Sequence, residues 1–131
     1  MSSKTHAIHN EKACDFLLSS GEFNDWVVTT AFYSALHYVC NELFPLEHRN
    51  MTFDNFERYY REKFINTKKT QPKHSVIISL VRYNLPLCNK YYRSLHDHCM
   101  KARYANYKVS NDLAVKARKD LERLKRQLNK I

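Results

Sequence analysis

Between Tyr91 and Tyr107 the chain reads YYRSLHDHCMKARYANY, the stretch with the densest supply of residues that act on phosphate esters. Histidine titrates near neutral pH and can take up or release a proton there. Arginine carries a permanent charge on a planar fork of donors that matches phosphate oxygens. On a helical wheel with Arg93 at zero, His96, Met100, Arg103 and Tyr107 fall within about 80° of it. They form a polar, cationic and aromatic face beside an apolar one of Cys88, Tyr92, Leu95, Cys99 and Ala102. Arg93 and His98 stand five residues apart, about 140° on a straight helix, so within one chain they do not share a face.

Other combinations offer less. His6 and His9 are one turn apart, the spacing of a metal pair, but no carboxylate or thiol matches them, and they read as surface histidines. His37 reads as a core histidine, and Trp26 and Tyr33 as core aromatics. Cys14, Cys40, Cys88 and Cys99 have no CxxC pair and read as free core thiols of a reduced, cytoplasmic protein. The tight turns needed by a serine hydrolase, a thiol enzyme or a dinucleotide-binding unit are missing. No metal and no cofactor are expected.

The elements that must position this stretch are helices. One Gly and three Pro leave little material for hairpins, and 131 residues make a single domain, residues 1–131. The fold class expected is all-α, a four- to five-helix antiparallel bundle. Its centre is WVVTTAFYSALHYVCNELF, Trp26 to Phe44, apolar nearly all round and hence buried on most sides, yet too rich in Thr, Ser, His and Asn to span a membrane.

A first helix is expected from about Ser3 or Thr5 to Ser20, stopped at Gly21, with Ala13, Phe16 and Leu17 buried. Asn24 or Asp25 caps the central helix, which ends before Pro45. After the connection PLEHRNM, Thr52 caps a third helix with Phe53, Phe56, Tyr60 and Phe64 on one stripe. NTKKTQPK, residues 66–73, reads as a polar loop that either touches phosphate or is solvated. His74 to Asn84 is a short helix ended by Pro86, and the functional helix runs from Leu87 to about Tyr107. Ser110 caps a last helix whose Ala117, Leu121, Leu124, Leu128 and Ile131 either close the bundle or meet another subunit.

Charge is unevenly shared. Residues 1–57 hold three basic and eight acidic side chains, a balance of −5, and since the whole chain carries +9 the remainder carries +14. A basic half favours a polyanionic partner, such as RNA, DNA or a phosphate-rich ligand.

The buried AFYSALHYV helix, the later helix with RSLHDH and the trailing ARYANY together resemble the HEPN superfamily of small prokaryotic helical-bundle proteins, over roughly residues 7–107. HEPN ribonucleases carry Arg, four to six residues, then His, which Arg93-SLHD-His98 matches; Ser94 stands where the family often has Asn, Asp or His. The resemblance implies a homodimer in which two copies of this helix build one cleft, with Arg93 and His98 catalytic. His98 would remove the proton of a ribose 2′-OH and Arg93 would hold the phosphate charge, with Asp97 or His96 orienting His98. His96, Lys101, Arg103, Tyr104 and Tyr107 would seat the RNA strand.

The implied function is a metal-independent endoribonuclease of a toxin or phage-defence type, with an antitoxin or nucleotidyltransferase as a candidate partner. Two other readings stay open: a non-catalytic nucleic-acid- or nucleotide-binding subunit, and a protein-interaction bundle.

Overall fold

The computed structural model describes residues 2–65, 71–105 and 108–130. Its elements are α1 (Ser3–Ser20), α2 (Asn24–Leu43), a hairpin of β1 (Leu46–His48) and β2 (Met51–Phe53), α3 (Phe56–Tyr60), α4 (Lys73–Asn84), α5 (Asn89–Tyr104) and α6 (Asn111–Leu128). α3 runs on as a wider π-turn over Arg61–Ile65, and a 3-10 turn over Pro86–Cys88 leads into α5. The all-α class therefore holds, with one small hairpin added. Among the described residues no helix is long and apolar enough to cross a membrane.

α2 lies at the centre, packed against α1, α5 and α6. Its Val27, Val28, Ala31, Phe32, Ala35 and Val39 are wholly buried. The other stripe read from the sequence is not: Trp26 is 54% exposed, and Tyr33, His37, Cys40 and Phe44 are half-buried. Apolar residues on both stripes do not force burial on both sides: Val27 and Val28 turn into the core, while the next-door Trp26 keeps about half its surface in water.

Small residues let α1 approach α2 closely. Ala7 is fully buried, and its carbonyl accepts a 2.8 Å hydrogen bond from the buried hydroxyl of Ser34. Phe16, expected in this interface, is 73% exposed, and Cys14 takes the inward position. Gly21 ends α1 with φ 73°, a left-handed conformation that costs glycine little. Neither Asn24 nor Asp25 caps α2. Phe23 occupies that place without a side-chain hydrogen bond, and the amide of Asn24 instead donates to the carbonyl of Val109 at 3.3 Å.

The connection after α2 pairs Leu46 with Phe53 and His48 with Met51 across a two-residue turn. Arg49 and Asn50 both take positive φ, 50° and 65°, the geometry that suits a right-twisted hairpin. Thr52 is thus in a strand, and Asn55 caps α3 by accepting from the backbone N–H of Arg58 at 2.9 Å.

α6 closes the bundle on α2 and α5, capped by Ser110 as expected. Ala117, Leu121 and Leu124 are fully buried in the chain's own core, so this stripe is not an exposed subunit contact. Arg118 and Lys125 of α6 reach Glu11 of α1 at 3.0 and 2.9 Å, Arg118 also holds Asp15 at 2.6 Å, and the hydroxyl of Tyr38 donates to Glu11 at 2.6 Å. Burial opposes the charge on Glu11, but the bonds from Lys125 and Tyr38 outweigh it and hold the carboxyl below its ordinary range.

Candidate functional site

α5 distributes the candidate residues over three sides. Leu95, Cys99 and Tyr92 point into the core. On the flank towards α2 and α4, His96 packs edge-on to Phe32 with centroids 5.5 Å apart and lies 5.4 Å from His74. Arg103, on the same flank, donates to the hydroxyl of Tyr33 on α2. Arg93, Asp97, Lys101 and Tyr104 occupy the exposed outer side. His98 alone turns to the groove between α5 and α6. Arg93 and His98 accordingly diverge within the chain, as their spacing requires. Tyr107 lies outside the described residues, as do residues 66–70 of the polar loop.

The surroundings of His98 correct the expected orienting group. Asp97 bonds His96 at 3.2 Å and makes no hydrogen bond to His98. Ser94, one turn earlier, takes the role: its Oγ is 3.4 Å from Nδ1 of His98 and 3.2 Å from Oδ2 of Asp120 on α6.

Asp120 is only 3% exposed, and its carboxylate is neutralised by Lys116 at 2.7 Å and Arg123 at 3.6 Å. Lys116 also donates to the Oγ of Ser94 at 3.1 Å. A carboxylate accepts only, so the single proton of Ser94 goes to Asp120, and its lone pairs receive Lys116 and the Nδ1–H of His98. With Nδ1–H donating to Ser94, Nε2 is the acceptor nitrogen of the neutral ring.

Burial, then the charges of Lys116 and Lys101, lower the pKa of His98, against the smaller opposing pull of Asp120 and Asp97. The ring is therefore neutral, in the form a general base requires, at neutral pH. Arg93 is exposed and has no hydrogen bond or ion pair among the described residues, so its guanidinium is available.

Two features escaped the sequence reading. Arg123, Arg126 and Lys130 gather with Tyr91 around a depression of about 450 Å³ at the far end of the groove between α5 and α6. A second cavity, of about 490 Å³, lies away from His98 and Arg93, among α2, α3 and α4, and is lined by His37, Cys40, Asn41, Phe56 and His74. His37 is thus a cavity residue stacked on His6, with centroids 4.9 Å apart, rather than an enclosed core histidine.

Burial, and then the neighbouring histidines, lower the pKa of both His37 and His74. Cys40 is an unsuitable nucleophile there, since burial pushes its thiol up to about 12. All four cysteines are free, and among the described residues no group of three or more His, Cys, Asp or Glu is arranged to hold a metal ion.

Comparison with protein-family models, with characterised proteins and with solved structures yields no match.

Proposed function

We propose that this protein is a metal-independent endoribonuclease of the HEPN type, of the kind used as a toxin or in phage defence, working as a homodimer. The observation that carries the reading is the chain Asp120, Ser94, His98, which presents a neutral imidazole with Nε2 free to accept a proton. Nε2 takes the proton of a ribose 2′-OH, and the O2′ atom then bonds to the adjacent phosphorus. The bond from phosphorus to O5′ breaks, and O5′ leaves with a proton from solvent, giving 2′,3′-cyclic phosphate and 5′-hydroxyl ends. Arg93 of a second copy, brought across a two-fold axis so that it meets His98, neutralises the charge that grows on the phosphate. RNA supplies its own nucleophile, so the scheme requires no metal.

The test is RNA cleavage in EDTA by the purified protein. Cyclic phosphate ends are expected, with a rate lower by about 100-fold or more for His98→Ala or Arg93→Ala. A substrate with one 2′-deoxy nucleotide at the cut should be inert there. Intact RNA after incubation with wild type, or undiminished cutting by His98→Ala, would remove the assignment. A non-catalytic RNA-binding subunit would then stand, a reading favoured by the divergence of Arg93 and His98 within one chain.

A further inference from the structure

Trp26 is the only tryptophan of the chain and is 54% exposed. It borders a depression of about 190 Å³ shared with Asp25, Thr29, Ala102 and Arg103, where the start of α2 meets the end of α5. The Arg103 guanidinium lies 5.8 Å from the Tyr33 ring centre and 5.1 Å from that of Tyr104, which is itself 71% exposed. An isolated surface tryptophan would need no explanation. Here an indole, a guanidinium and a phenol cluster at one place on a chain of net charge +9, and planar groups beside a cation are what an unpaired base and its phosphate require.

The cluster also connects to His98. Along α5, Lys101 follows His98 by three residues and Tyr104 follows Lys101 by three, each step displaced about 60° around the helix. Lys101 and Tyr104 are exposed, and the Tyr104 ring lies beside the Arg103 guanidinium that borders the depression. The exposed Lys101 and Tyr104 thus lie along α5 between His98 and the end of the helix where Arg103 borders the depression. The carboxylate of Asp25 stands at the same depression, so the phosphates run on the Arg103 side and the base on the indole side.

We propose that Trp26, with Arg103 and Tyr104, forms a nucleobase subsite that stacks one base of a single-stranded RNA a few nucleotides from the phosphate at His98. The subsite rests on the RNA reading of the same helix, but it does not depend on cleavage.

The lone indole makes the test direct. A 2′-O-methylated single-stranded oligoadenylate cannot be cut by attack of its own 2′-oxygen, and its titration into the full chain should quench Trp26 fluorescence saturably. Trp26→Ala should weaken binding, read by polarisation of a labelled oligonucleotide, by about tenfold or more, and Trp26→Phe should recover most of it. Far-UV circular dichroism of both variants checks that the fold persists, as expected for an exposed position.

Oligonucleotide binding that leaves the indole fluorescence unchanged, or Trp26→Ala binding as tightly as wild type, would overturn the subsite. Quenching by an acidic peptide with none by RNA would overturn it too and give the surface to a protein partner. If RNA stays uncut while the quenching and its loss in Trp26→Ala persist, the subsite is upheld and only the nuclease assignment fails.

Discussion

At the residue level, the value of His98 depends on side chains of two helices. Asp120 raises its pKa and Lys116 lowers it, so removing either charge should move the titration in opposite directions. Asp120→Asn should lower the His98 pKa further, and Lys116→Met should raise it towards the ordinary histidine value of about 6.5. Two-dimensional NMR titration of the imidazole signals reads both shifts, and a shift of the same sign in both variants would contradict the geometry. Ser94→Ala removes the acceptor of Nδ1–H, so the ring loses its tautomer preference. On the proposed ribonuclease mechanism, the cleavage rate should fall by about tenfold or more while RNA affinity is kept. Cleavage kinetics beside a binding isotherm separates the two effects, and Ser94→Thr should restore part of the rate.

At the level of elements, α6 and α2 divide their apolar residues differently, and stability measurements should show it. Leu124 is fully buried where α6 meets α2 and α5, so Leu124→Ala should cost about 2–5 kcal/mol in chemical denaturation. Trp26 is larger and equally apolar, but with half its surface in water Trp26→Ala should change stability by only about 0.5 kcal/mol. The reverse order would mean that the start of α2 is covered, in which case no base could reach the indole.

At the level of the molecule, pH, salt and assembly act together. His37, His74 and His98 all have lowered pKa values, each with burial as the leading cause. The unfolded chain binds protons at the ordinary value, while the folded chain resists until the pH is lower. Stability should therefore decline as pH falls below about 6.5 and level off below the folded values. Thermal melts at pH 7.5 and 5 should show the lower midpoint in acid.

On the proposed RNA reading, affinity should drop steeply between low and moderate salt, because phosphate contacts made by the +14 carried beyond residue 57 would release counterions. Polarisation titrations at several salt concentrations measure that slope. Sedimentation at micromolar concentration should give a dimer if a second copy supplies Arg93. Since Leu121 and Leu124 are used inside the chain, the apolar stripe of α6 is not the surface for that pairing.

Helix content, the ends of α1 and α4, the Ser110 cap and the buried stripe of α6 were all legible in the sequence. They follow from local signals: a glycine that tolerates positive φ, a proline that lacks an N–H, a serine that caps, and apolar residues at helical spacing. The hairpin was hidden because Arg49 and Asn50 adopt its turn without the usual glycine. At the site, Arg93 and His98 could be picked out by residue type, and their divergence follows from helical geometry alone. The partnership of Ser94 with Asp120, separated by 26 residues, could not, because no local rule tells which turns of α5 and α6 face each other. Nor could the exposure of Trp26 or the cavity beside His37 be read, since both depend on where neighbouring helices stop. Local backbone preferences determine the elements, whereas the tertiary packing of those elements decides which polar groups lose water and find each other.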